Sequence, residues 1–368
     1  MKCVKVSAPA KDPVVHEAGS ASDQPATIEI VFHDFISKAS GASLQRSFPL
    51  RELQAIMKSF PEDAQYLPRP SDQLLAQIDD AFLSKEASED AKALRPALFL
   101  CAAMLRKTSI CSENQANVGF KIQVSATENF PIGAGLGSSA AFSVALAGAL
   151  AQLQDETAKA SAPDASSKSL ELVNAYAFAA EVILHGAPSG VDNTVATFGG
   201  TLVFKKLPEP SFQRIECDLN QFRFLLVNTR VPRSTKEQVA NVRALFDADR
   251  ESIEKLFQEI DGIGTTFIDL GQQQNALSEA HFARQIARNH EILNALGVGH
   301  PKIEQVASIC ARYGATTKLT GAGGGGCTLS MLPQSIDDTA LSHLVAELEA
   351  NGFQCFVSAV GGAGFVVE

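Results

Sequence analysis

With 368 residues, 45% of them hydrophobic and 20% charged, the chain is too long for one small core and has the composition of a globular enzyme of two domains. A net charge of -10 excludes nonspecific binding to nucleic acid, which needs a basic surface. Seven cysteines without a CxxC pair fit neither a zinc site nor a disulfide framework, so they read as reduced thiols.

The opening residues, MKCVKVSAPAKDP, lack the apolar core of a signal peptide, and the most apolar runs are too short to span a bilayer. The expectation is a soluble, cytoplasmic protein with no membrane partner. VKVSAPAK alternates like a short strand and ATIEIVFHDF like a second. From Arg51 to Arg106 the pattern is mainly helical, ending in the core-type stretch ALRPALFLCAAMLRK, and GFKIQVSAT is a strand of period two. A long apolar helix starts near Ser138, QDETAKASAPDASSKS reads as a loop, and LELVNAYAFAAEVILHG is a helix ending at glycine. GTLVFKKL and FRFLLVNTRVP are strand-like, and Thr235 to about Ala295 is helical. After the LGVGHP turn, Pro301 suits the first position of a helix. ATTKLTGAGGGGCTLSML then reads as strand, glycine loop and strand, before a last helix and strand. The pattern suggests a division near Arg230, giving domains 1–230 and 231–368.

The stretch PIGAGLGSSAAFS places Gly133, Gly135 and Gly137 between a strand and a helix. Glycines there let the backbone approach a ligand, and the free amides of the first helical turn point at it. Ser138 and Ser139 add hydroxyls able to cap the helix or ligate magnesium. Three glycines alone favour a tight turn with a serine cap. A Walker loop is ruled out because no lysine follows, and the dinucleotide fingerprint GxGxxG fits poorly, although Asp155 lies near its acidic position.

The whole stretch decides, because it resembles the second motif of the GHMP kinases (galactokinase, homoserine kinase, mevalonate kinase, phosphomevalonate kinase). HGAPSGVDNTVATFGG, residues 185–200, is similar to the mevalonate kinase branch, and KLTGAGGGGC resembles the third family motif. The resemblance covers the chain from about residue 90 onward. It implies an α+β, two-lobed fold, with an N-terminal nucleotide and substrate lobe and a smaller C-terminal α+β lobe bearing the glycine-rich loop 321–326. By residue, it implies that Gly133, Ala134, Gly135, Leu136, Gly137, Ser138 and Ser139 hold ATP phosphates, joined by Gly323 and Gly324 from a flexible closing loop. It places Mg2+ on Ser139 and Glu181, the proton-accepting base on Asp192, an assisting lysine at Lys11 and a substrate contact at Thr235. The implied reaction is ATP- and Mg2+-dependent phosphorylation of the primary hydroxyl of mevalonate, giving 5-phosphomevalonate for isoprenoid and sterol synthesis. The family often forms homodimers and is often inhibited by isoprenoid diphosphates.

The residues themselves speak to some of this. Glu181 has Ala177, Phe178 and Leu184 at helical spacing, so its carboxylate sits in apolar company that calls for a cation or a proton. Asp192, after PSG, is equally suited to a helix cap or turn. Arg230 and Arg233 precede a helix start, and an anion-binding role and plain solvation are equally open for them. His185 and His300 read as turn residues, and NHEILNALGVGH as helix packing and a turn.

The first family motif breaks. VSAPAK is present, but the Gly-Glu-His element expected after Lys11 is absent, and Asp12 and Pro13 interrupt the strand. The region from Ser20 to Leu50 is short by about one strand relative to the family. The rivals to a mevalonate kinase are therefore a phosphomevalonate kinase or a similar sibling, and a nucleotide-binding homologue without phosphoryl transfer. A nucleotide-cofactor oxidoreductase is more distant.

Overall fold

The computed structural model describes residues 4–7, 26–37, 39–60, 69–106, 120–126, 136–158, 166–206, 209–215, 217, 219, 221–273, 278–358 and 360–367. Lys11, Gly133, Ala134 and Gly135 lie outside the described residues. The chain forms two compact units: residues 1–130, 139–198 and 364–368 make one, and residues 131–138 and 199–363 the other. Arg230 lies inside the second unit, between the strand Arg223–Asn228 and the helix Thr235–Ala248.

The first unit is built on a mixed four-stranded sheet of β1 (Val4–Ser7), β2 (Thr27–Ile36), β3 (Ser43–Pro49) and β4 (Phe120–Val124), in the order β1-β4-β2-β3. β2 and β4 run parallel, pairing Ile28 with Phe120 and Ile30 with Ile122, while the other pairs are antiparallel. Ile28 and Ile30 are fully buried and Leu44 and Phe48 of β3 join them, so one face of the sheet is apolar, as period two requires. On it pack α1 (Leu50–Met57), α2 (Asp72–Ile78), which runs on into a π-helical turn (Asp79–Leu83), and α3 (Ser88–Leu105). α4 (Ser138–Ala158) and α5 (Ser166–His185) complete the same core through Leu146, Leu150, Ala177 and Ala180. The expected loop 154–169 is thus shorter, because α4 extends through its first residues and α5 starts before its end. The buried Asp90 accepts hydrogen bonds from Ser37 and Arg46, tying the β2 end and β3 to α3. Among the described residues no helix is long and apolar enough to cross a membrane.

α6 (Val191–Phe198) is the last helix of the first unit, to which residues 364–368 also belong. The second contains the hairpin of β5 (Thr201–Lys205) and β6 (Ser211–Ile215). Its main sheet holds β7 (Arg223–Asn228), β8 (Thr316–Leu319), β9 (Cys327–Leu332) and β10 (Gln354–Ser358), all antiparallel in the order β10-β7-β9-β8. Leu225 and Val227 pack with α10 (Pro301–Arg312) and α11 (Asp338–Ala350). Phe224 and Met331 point the other way, onto Phe267 of α8 (Arg250–Gln272) and Phe282 of α9 (Glu279–Ala295). Side-chain caps set the helix starts: Ser234 accepts from Glu237 N ahead of α7 (Thr235–Ala248), and Asp249 from Ser252 N ahead of α8. His300 caps α10 through Nδ1, with Pro301 at its first position as the turn pattern predicts.

Candidate functional site

The carboxylate centre lies within the first unit, where α4, α5 and α6 meet. Gly137 adopts a φ of 67°, a left-handed turn that glycine permits without strain, and Ser138 then opens α4. Ser139, in the first turn, lies beside the unsatisfied amides and the positive end of the helix. Its Oγ donates to Glu181 Oε2 at 3.0 Å. One turn along α4, the buried Ser143 donates to the other oxygen, Glu181 Oε1, at 3.3 Å. The carboxylate is therefore held at both oxygens by hydroxyls from one helix face.

Glu181 is 4% exposed. Burial pushes its carboxyl above the ordinary value; the hydrogen bonds from Ser139 and Ser143 and the neighbouring His185 pull it back, and the field of Asp192 raises it further. The apolar company expected from helical spacing is only partly there: Ala177 is buried, but Phe178 faces solvent. Its immediate surroundings are polar because α4 presents serines there at helical spacing. His185, the last residue of α5, has Nε2 3.1 Å from Ser139 Oγ and 3.6 Å from Glu181 Oε2. The turn histidine expected from sequence thus borders this centre. Gly186 ends α5 at a φ of 76°, its amide returning to Val182 O at 2.8 Å.

Asp192 is exposed in the first turn of α6. The sequence left a cap or turn open for this position, and it is helical. Gly190 precedes it at a φ of 82°, and Gly190 O accepts from both Thr194 N and Thr194 Oγ1. Asn193, Thr194 and Thr197 are buried on the α5 side of α6. A buried carboxylate with hydroxyl oxygens suits a hard cation such as magnesium, which takes one or two protein oxygens and fills its sphere with phosphate and water. Among the described residues no group of three or more His, Cys, Asp or Glu side chains could hold a metal ion, as soft or closed structural sites would require.

The second unit, taken by itself, carries the glycine loop between β8 and β9. Gly323, Gly324, Gly325 and Gly326 have φ of 76°, 72°, 140° and 71°. The expected flexible loop is instead packed: Gly324 N donates to Val298 O at 2.8 Å and Gly326 N to Val231 O at 3.1 Å. A Cβ at Gly323 would stand 2.2 Å from Val298 O, and one at Gly324 2.4 Å from Gln238 Nε2. The glycines are there because neighbouring backbone and side chains occupy the space. Thr235 is the exposed first residue of α7. Arg233 Nη1 donates to Thr320 O at 2.9 Å, so this arginine braces the loop. Arg230 takes a left-handed φ of 57°, with its amide on Asn228 Oδ1.

Residues 97–200 match the family model for the GHMP kinases N terminal domain. The mevalonate kinase of Homo sapiens is 32% identical over 337 residues, which is 88% of this chain and 82% of that one. The mevalonate kinase of Bos taurus is 38% identical over 269 residues, 71% of this chain and 66% of that one. Among solved structures, the Methanococcus jannaschii mevalonate kinase superposes with a TM-score of 0.64 at 20% identity, covering 98% of this chain and 88% of that one, so the fold is shared.

Proposed function

This chain belongs to the mevalonate kinases of the GHMP kinase family, a family of phosphotransferases, and we propose that it transfers the γ-phosphoryl group of ATP to the primary hydroxyl of mevalonate. The observation that carries this reading is the buried carboxylate of Glu181, held at both oxygens by Ser139 and Ser143 at the start of α4. In phosphoryl transfer the protein mainly positions the reactants and offsets their charge. The first-turn amides of α4, with the loop from Gly133 to Gly137, hold the phosphates by hydrogen bonding and by the helix dipole. Ser139 and Glu181 are the residues that would hold magnesium, which supplies compensation for the charge on the phosphate oxygens.

Asp192 accepts the proton of the mevalonate hydroxyl, and the charge of Lys11 supports it in that state. Exposed in the first turn of α6, the Asp192 carboxylate is open to a ligand. Gly323 and Gly324 contribute to nucleotide binding and Thr235 to mevalonate binding; the motif resemblance supports both roles. The product, 5-phosphomevalonate, feeds isoprenoid and sterol precursor synthesis, and the protein works in the cytoplasm, with a homodimer as its expected state.

The test is a coupled assay of the whole chain for ADP formation that requires both mevalonate and magnesium. Turnover with mevalonate, and none with phosphomevalonate, supports the reading. ATP binding without transfer favours the second reading, a nucleotide-binding homologue, which rests on the missing Gly-Glu-His element after Lys11.

A further inference from the structure

We propose that Asn174 is a positioning residue, which clamps α6 onto α5 and so sets where Asp192 stands relative to Glu181; this deepens the kinase reading above and rests on it. Asn174 lies on α5 about two helical turns before Glu181, so the two share a face of the helix. Its Oδ1 accepts from Asn193 Nδ2 at 2.6 Å and from Thr197 Oγ1 at 3.5 Å, and its Nδ2 donates to Thr194 Oγ1 at 3.4 Å. One amide thus engages three side chains of α6. Asn193 and Thr197 are 3% and 1% exposed, so water has little access to replace these bonds. The single Thr197 hydroxyl proton is shared between the long contact to Asn174 Oδ1 and Asn193 O at 2.8 Å, the shorter bond, which closes the network on the helix backbone.

The leverage comes from where Asp192 sits. It is the residue next to Asn193, on the solvent side of a helix whose buried side the amide holds. α6 spans only Val191–Phe198, and its apolar anchoring is slight: its buried residues are Asn193, Thr194 and Thr197, Ala196 is only partly buried against the core, and Phe365 N holds the backbone at Thr197 O. A helical side chain ends about 5 Å from the axis, so a roll of α6 by about 20° would move the Asp192 carboxylate by about 2 Å. A misplacement of about 1 Å can cost on the order of 100-fold in rate. Glu181 is fixed separately, by the serines of α4. Loss of the clamp therefore moves the base while leaving the carboxylate and hydroxyl at the α4 start in place.

The test compares Asn174→Ala with the wild type in steady-state kinetics on the full chain, with thermal unfolding as a folding check. The expected result is a fall in kcat of about 100-fold with KM for MgATP changed less than about twofold. Asn193→Ala breaks the same clamp from the other side and must reproduce the split, which covers the case of a variant that does not fold. In an Asp192→Asn background, Asn174→Ala is expected to add less than about a twofold loss, because the group it positions is already disabled. Full multiplication of the two losses, or equal losses in kcat and MgATP affinity, would overturn the role. A wild-type chain that forms no ADP with mevalonate sinks the kinase reading itself, and this role with it; wild-type turnover with an unaffected Asn174→Ala sinks this role alone.

Discussion

The carboxylate centre of the first unit and the glycine loop of the second are both marked by family-like motifs, yet they are built from opposite materials. At the first, side chains carry the construction: hydroxyls of Ser139 and Ser143 hold Glu181 in a buried place that its charge resists. At the second, the backbone does: consecutive left-handed glycines spend the amides of Gly324 and Gly326 on carbonyls of their own unit. A site of the first kind stores electrostatic strain that a bound cation relieves. A site of the second kind stores none, and its shape is fixed by the exclusion of any Cβ. Substitutions at the first should therefore change chemistry and ion dependence more than stability, and those at the second should do the reverse.

Four substitutions sharpen that contrast. The largest effect is expected for Asp192→Asn, which should lower kcat by about 10²–10⁴-fold while leaving ATP binding nearly unchanged; equal losses in turnover and ATP binding would count against its role as base. Glu181→Gln should raise the magnesium concentration needed for half-maximal rate by at least about tenfold, read from a magnesium titration. The same variant carries a signed expectation for stability without metal. Because the folded-state carboxyl titrates above the ordinary value, the native chain is penalised at pH above that folded value, and the penalty fades as pH falls to the ordinary carboxylate range. Metal-free Glu181→Gln should thus unfold at a higher temperature than wild type at pH 7, with the gap closing towards about pH 4. A gap that widens on acidification contradicts the burial argument.

Gly323→Ala probes the other region. Its new Cβ meets Val298 O, and its φ of 76° strains any side chain, so a loss of at least about 1–3 kcal/mol is expected in thermal or denaturant unfolding. A variant that unfolds like wild type would restore the flexible reading of this loop. Gly262→Ala on α8 is the counter-case and the smallest effect, since nothing lies within 4 Å of its Cβ. It should stabilise by about 0.5–1 kcal/mol through helix propensity alone.

Much of the architecture was legible in periodicity, and the misses have local causes. β2 and β4 alternate apolar residues as the sheet requires, and the Pro301 start of α10 follows from the fixed φ of proline. β6 escapes periodicity because most of its residues are exposed, so no alternation marks it. α6 carries no helical signal in the sequence because its buried face is made of Asn193, Thr194 and Thr197, polar residues that no hydrophobic template detects. At the site, motif and burial logic alike point to Glu181, which is buried. Neither points to Ser143, although its spacing of one turn from Ser139 is a usable signal. Asn174 had no such mark; only packing reveals that an amide two turns before Glu181 faces another helix.

One contact made late in the chain bears on how the early unit is completed. Phe365 belongs to the first unit: its ring fills the space left by the missing side chain of Gly148 on α4, and its amide donates to Thr197 O at the far end of α6. The contact is long-range in sequence: β1 to β4 all precede residue 125, whereas the residue that packs on α4 and holds α6 is Phe365. The helix bearing Asp192 is thus held twice, through its side chains by Asn174 early in the chain and through its backbone by Phe365 late. A chain without that phenylalanine would lose the packing on Gly148 and the hydrogen bond to Thr197 O, and with them one of the two holds on α6.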